Sequence, residues 1–129
     1  MEATNVVTYT KPVELYRTPQ AITDRRISLD TVKRYGVTVD NGKQYYPYYD
    51  KDGKLVGSKV RTVATKEFTT RGDMRQNTMF GQQLFNTGGR YVTVVEGELD
   101  AMAAYEMLGS RYPVVSVAKG AGGAVIIIT

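Results

Sequence analysis

Tyr91-Val-Thr-Val-Val-Glu-Gly-Glu-Leu-Asp-Ala-Met-Ala-Ala-Tyr105 is the stretch on which the fold turns. Tyr91 to Val95 have high strand propensity, and the Ala/Met-rich segment after Asp100 favours a helix. A Gly-bearing turn joins the two. Val94 and Val95 continue an apolar run that suits a strand buried on both faces of an α/β sheet. Glu96 then falls at the carboxyl end of the strand, where open α/β sheets keep their ligand crevice. Glu98 and Asp100 fall in the turn or the first helical turn, where the helix macrodipole stabilises negative charge.

Three carboxylates held together raise one another's pKa unless a cation compensates. A divalent ion of the Mg²⁺ type does so, since it takes hard oxygen ligands from one or two carboxylates and from substrate phosphates. The plainer reading is that Glu98 and Asp100 serve the helix start and Glu96 is a solvated loop residue. Spacing alone does not choose between them.

Downstream, Gly109 suits a helix terminator and Tyr112-Pro-Val-Val-Ser-Val117 a second strand, which makes a βαβ unit with parallel strands. The Gly-rich segment Lys119-Gly-Ala-Gly-Gly123 could offer backbone N–H groups to a phosphate, but no Gly-Lys-Ser/Thr follows to make a P-loop. Upstream, Phe80, Leu84 and Phe85 are expected to pack beneath the central strand. Residues 1–16 read as an irregular arm. Pro19 suits the start of one short helix, and Ser28 caps a second that ends at Gly36, a small helical hairpin. Gln44 to Tyr49 and Lys54 to Val63 read as a β-hairpin around Asp50-Lys-Asp-Gly53. Pro47 makes the first strand an edge or bulged strand. Its tyrosines suit half-buried packing with wet hydroxyls better than base stacking. Glu67 to Gly72 reads as a loop.

The 129 residues suffice for one modest domain, and 42% hydrophobic with 23% charged residues is an ordinary globular balance. There is no Cys and no His, which excludes Cys/His zinc sites, a Cys nucleophile and a Ser-His-Asp triad. No apolar run approaches a membrane span, and Met1-Glu-Ala-Thr-Asn lacks a signal-peptide pattern. Lys plus Arg is 17 against 13 acidic residues, a mild lean toward polyanions. The distribution is more telling. Lys59, Arg61, Lys66, Arg71 and Arg75 come just before the acidic stretch, with only Glu67 and Asp73 among them. Lys59 and Arg61 share one strand face. A basic segment followed by acids is what a site for metal and phosphates needs; a solvated charged face is the bland alternative.

Val-Val-Glu-Gly-Glu-Leu-Asp followed by an Ala-rich helix and Pro-Val-Val-Ser-Val-Ala-Lys-Gly-Ala resembles the first half of a Toprim domain. The resemblance is to the primase part of phage-type primase–helicases, relatives of mitochondrial Twinkle and of bacterial primase. It covers about residues 17–124 and includes the Tyr-rich hairpin, Ser58-Lys-Val-Arg61, Lys66, Phe68 and Phe80-Gly81. It implies an α/β fold, with an α+β N-terminal subdomain (17–89) followed by an incomplete Toprim βαβ unit with parallel strands (90–129). It also implies RNA primer synthesis on single-stranded DNA in replication, using nucleoside triphosphates and Mg²⁺ or Mn²⁺, in the cytoplasm of a bacterial host. Glu96, Lys59 and Lys66 would be catalytic, and Glu96, Glu98 and Asp100 metal ligands. Lys59, Arg61, Lys66, Arg71 and Lys119 would bind nucleotide or nucleic acid. A helicase or a remaining primase half is an implied partner.

The departures matter. No Asp or Glu follows Glu106, so the family's second acidic motif, an Asp-x-Asp, is missing from the sequence. Only about seven residues separate Val117 from Val125, too few for the roughly dozen of a parallel crossover. Val125 to Thr129 is therefore expected to be a disordered tail, a hairpin return or a sticky end. A zinc module and a helicase P-loop are absent as well. The leading expectation is a primase fragment, truncated before that motif and catalytically poor alone. The alternative is a non-catalytic module that binds single-stranded DNA or a replisome protein. A topoisomerase-like cleavage would need a Tyr nucleophile, and none of the ten tyrosines stands out.

Overall fold

The structure, a computed structural model, describes residues 18–85 and 91–118. The expected arm at 1–16, the Lys119–Gly123 loop and the Val125–Thr129 tail lie outside the described residues.

Ser28 opens helix α1 (Leu29–Tyr35), its Oγ accepting from the Thr31 N–H, and Gly36 at φ +78° closes it. The expected partner helix does not form. In its place stands a single 3-10 turn, Thr23–Arg25, clamped by paired backbone hydrogen bonds between Ile22 and Ile27. The clamp buries both isoleucines to 5% and 1% exposure. On a continuous helix, residues five apart would point about 140° away from each other, so burial of both selects the turn.

Four strands then form an antiparallel sheet in chain order: β1 (Thr38–Asp40), β2 (Lys43–Tyr49), β3 (Leu55–Thr62) and β4 (Glu67–Gly72). The expected hairpin is β2–β3. The Asp50 carboxylate accepts from the N–H groups of Asp52 and Lys54, and Gly53 takes φ +82°. The β1 pairing ends at Tyr45, so at Pro47 the strand has a neighbour on one side only, and a register shift follows between Tyr48 and Tyr49. Both Pro47 expectations hold.

Residues 67–72 are a strand, not the loop expected. Phe68 and two threonines suit a strand, and Lys66 at φ +63° makes the tight return from β3. All six residues are exposed, so no alternation of apolar and polar positions betrayed the strand.

The second unit is β5 (Thr93–Val95), α2 (Glu98–Met107) and β6 (Val114–Ser116), with β5 and β6 parallel in the register Thr93 to Val114 and Val95 to Ser116. The expected βαβ unit therefore forms, and Gly109 at φ +83° stands just past the helix end. Burial on both faces was expected of the first strand but belongs to the second. All three β6 residues are buried, whereas Thr93 is exposed and Val94 and Val95 are half-buried. The reason is placement: β6 lies between β5 and the backbone of Phe80, which exchanges hydrogen bonds of 2.8 and 3.2 Å with Ser116.

Phe80 is the hub that joins the two units. Its ring stacks on Tyr35 at 5.3 Å and meets Tyr46 and Tyr48 at 5.8 and 5.9 Å. Leu84 and Phe85 pack against the same core, as expected. The tyrosines are less wet than expected. Of the hairpin tyrosines, Tyr46 and Tyr48 are fully buried and their hydroxyls donate to Gln44 and Glu98; Tyr35 of α1 is also fully buried and donates to the Val114 carbonyl. Burial raises the pKa of all three, so they stay protonated donors.

Candidate functional site

Side-chain alternation sorts the sheet into two faces. Gln44, Tyr46 and Tyr48 share one face with Lys59, Arg61 and Phe68, while Tyr45, Pro47, Ser58, Val60 and Arg71 occupy the other. The first face packs on the βαβ unit. This brings the Lys59 ammonium to the carboxyl ends of both parallel strands. It lies 3.1 Å from Glu98 Oε2, just beyond β5, and donates at 2.8 Å to the carbonyl of Ala118, just beyond β6. The Phe68 ring covers it, with the ammonium 4.7 Å from the ring centroid.

Of the three predicted metal ligands, two stay at the surface and one turns inward. Glu96 and Asp100 are exposed, on the β5–α2 turn and in the first turn of α2. A Cβ placed on Gly97 would lie 3.4 Å from Asp100 Oδ2, so the Asp100 carboxylate folds back over the turn that carries Glu96. Glu98 is only 3% exposed and accepts from both the Tyr48 hydroxyl and Lys59. Tyr48 is correspondingly raised in pKa, by burial first and then by the Glu98 charge and hydrogen bond. Among the described residues no group of three or more His, Cys, Asp or Glu side chains is gathered to hold a metal ion.

The basic track is dispersed. Arg61 is 8% exposed and donates to Gln44 Oε1 at 3.2 Å, so its guanidinium serves the sheet. Lys66 is exposed at the β3–β4 turn. Arg71 lies over the Tyr45 ring at 5.4 Å on the opposite face, beside a groove of about 400 Å³ lined also by Pro47, Tyr49 and Ser58. Arg75 is exposed and paired with Asp73, whose carboxyl it holds down to about 2. Lys119 lies outside the described residues. Sequence reasoning missed Tyr48 and Phe68 as neighbours of the site. The signal was there for Tyr48, which has the same strand parity as Tyr46 and Gln44; Phe68 becomes a neighbour only once β4 is known to be a strand.

The fold, an antiparallel sheet that delivers a lysine to the acidic end of a parallel βαβ unit, is similar to the primase part of phage-type primase–helicases. Residues 18–72 match the model of the family described as bacteriophage T7 DNA helicase/primase, N-terminal a+b fold. Among particular relatives, the DNA helicase/primase of Enterobacteria phage T3 is 37% identical over 107 residues, 80% of this chain and 19% of the T3 protein. The crystal structure of the primase fragment of the bacteriophage T7 primase-helicase protein superposes with a TM-score of 0.72 at 36% identity, covering 81% of this chain and 44% of that one. A second structure shows T7 lagging-strand DNA polymerase interacting with primase domains of two gp4 subunits bound to an RNA/DNA hybrid and dTTP. It gives a TM-score of 0.75 at 37% identity, covering 84% of this chain and 50% of that one. The chain is thus related to the primase fragment of these proteins, and it spans about a fifth of the T3 protein and half or less of the solved chains.

Proposed function

We propose that these residues form part of a phage-type primase, a Toprim-like unit that binds nucleoside triphosphate and single-stranded template in RNA primer synthesis within the cytoplasm of a bacterial host. The observation that carries the reading is the meeting of Lys59 with the carboxyl ends of β5 and β6, beside the turn that bears Glu96. The T7 primase domains that this chain resembles are bound to an RNA/DNA hybrid and dTTP and interact with a polymerase, which supports the same classes of partner here. A helicase or the rest of a primase would complete the assembly.

The donor set fits Mg²⁺ or Mn²⁺ in part. Glu96 and Asp100 are exposed carboxylates on one turn, and such an ion takes one or two carboxylates and fills its shell with water and phosphate oxygens. When bound, the ion would neutralise triphosphate charge and activate a hydroxyl nucleophile. The remaining work is the chain's own: Glu96 and Asp100 hold the ion, Lys59 and Lys66 neutralise phosphates, and Arg71 and Lys119 meet the nucleic-acid backbone. No carboxylate follows Glu106, so we propose that these residues alone synthesise little primer.

A primer-synthesis assay combined with binding of a fluorescent nucleoside triphosphate tests this. Weak synthesis is expected, with divalent-ion-dependent binding that falls at least tenfold in Glu96→Gln. Robust synthesis would remove the proposed deficiency, and ion-independent binding unaffected by Glu96→Gln would overturn the metal-site reading. The inward turn of Glu98 leaves room for a second reading, a non-catalytic module for single-stranded DNA or a replisome protein. Salt-dependent DNA binding that survives Glu96→Gln but drops on Lys66→Ala would favour it.

A further inference from the structure

We infer that Glu98, with Tyr48, is a positioning residue that presets the Lys59 ammonium for an incoming phosphate, and is not a metal ligand; the phosphate as target rests on the proposed function. Glu98 Oε2 already accepts from the Tyr48 hydroxyl and from Lys59 at 3.1 Å, in a carboxylate that is 3% exposed. Both contacts fall on one carboxylate oxygen, but a divalent ion at either oxygen would have to enter a place only 3% exposed and come to rest beside an ammonium. Both demands are unfavourable. Glu96 and Asp100 are exposed and face neither obstacle.

Lysine is ordinarily a flexible stem whose rotamer freedom is lost when it grips an anion. Here that loss is met in folding. The ammonium has three donors. One goes to Glu98 from α2, another to the Ala118 carbonyl beyond β6, and the Phe68 ring of β4 covers one side. The side chain keeps 16% exposure, so an anion can still reach it. An ammonium already held at the strand ends binds a phosphate with less ordering cost, which is the physical content of preorganisation. Tyr48 fixes the carboxylate in turn, and burial keeps its hydroxyl protonated.

The test uses the 129-residue chain and its Glu98→Gln, Tyr48→Phe and Lys59→Ala variants. Lysine ammonium NMR is read first, with no ligand present. The Lys59 signal is expected to be ordered and slow to exchange, unlike that of Lys66, and to lose that order in Glu98→Gln. An ammonium as mobile as that of Lys66 in the unaltered chain overturns the inference. Mn²⁺ titration comes second: Glu98→Gln should weaken binding only by the loss of a nearby negative charge, and a loss as complete as that in Glu96→Gln would make Glu98 a ligand after all. Third is the affinity for a fluorescent nucleoside triphosphate. Removing a negative charge would by Coulomb attraction alone tighten it. A severalfold weakening, to which Lys59→Ala adds little, is expected of lost positioning; unchanged or tighter binding overturns the inference. Should Glu98→Gln fail to fold, Tyr48→Phe, which removes one hydroxyl, carries the same three readouts. If the unaltered chain binds neither Mn²⁺ nor triphosphate, the proposed function falls and phosphate falls with it as the target, while the ammonium signal still decides what holds Lys59.

Discussion

At the scale of single residues, the Glu98–Lys59 pair sets a carboxylate of 3% exposure against an ammonium of 16% exposure at 3.1 Å. Removing one member of a buried ion pair strands the other without its partner. Glu98→Ala is therefore expected to lower stability by about 3 kcal/mol, and chemical denaturation would measure it. Glu98→Ala combined with Lys59→Met should recover much of the loss, because the stranded charge goes with its partner. Sequence order put Lys59 and Glu98 in the same neighbourhood of function but assigned Glu98 to metal. Nothing in the residue spacing tells a carboxylate which way it will face; the orientation follows from the sheet that packs on α2, and that sheet supplies Tyr48 from a position 50 residues earlier.

Elements are tied to one another by a second carboxylate. Glu106, near the end of α2, accepts at 3.1 Å from the backbone N–H of Ser28, the residue that caps α1. Burial would raise its pKa, but the hydrogen bonds from Ser28 and Thr31 outweigh that and hold it below the usual carboxylate value. A depressed folded pKa adds stability that is present above the unfolded value of 4.5 and is lost as pH falls through the lower folded value. Glu106→Gln should thus cost about 0.5 to 1 kcal/mol near neutral pH, the scale of a solvent-screened cap, and progressively less in acid. Denaturation of the two proteins between about pH 3 and 7 checks it; a difference that grows in acid would contradict it. Helix α1 itself was legible because its cap and terminator are local residues. The missing first helix was not, since the Ile22–Ile27 clamp depends on the core that receives both side chains.

For the molecule as a whole, one core serves both units, with Phe80 in contact with Tyr35, Tyr46 and Tyr48. Phe80→Ala should cost about 3 to 5 kcal/mol, enough to threaten folding altogether. Its neighbour gives a sharper test of packing. Gly81 sits at φ +85°, and a Cβ there would come within 2.6 Å of the Tyr35 ring. Gly81→Ala is expected to lose about 2 to 4 kcal/mol from backbone strain and overpacking together. A melting temperature lowered by less than a degree or two would show that Tyr35 yields freely. Either lesion should loosen the docking of the sheet on the βαβ unit, so the order of the Lys59 ammonium is expected to fall along with stability.

Local chemistry in the sequence determined what local chemistry can: the strand–turn–helix around Glu96, the parallel return at Val114, the Asp50 turn, the Ser28 cap and the odd placement of Pro47. It also determined which side chains could carry charge chemistry, and that no histidine or cysteine would take part. The tertiary structure decided everything that depends on which face meets which. It made a strand of the exposed residues Glu67–Gly72, buried β6 in place of β5, sent Arg71 to the far face and turned Glu98 inward to Lys59 and Tyr48. Propensity and capping act over a few neighbouring residues, whereas burial and charge pairing act between residues that only the folded chain brings together.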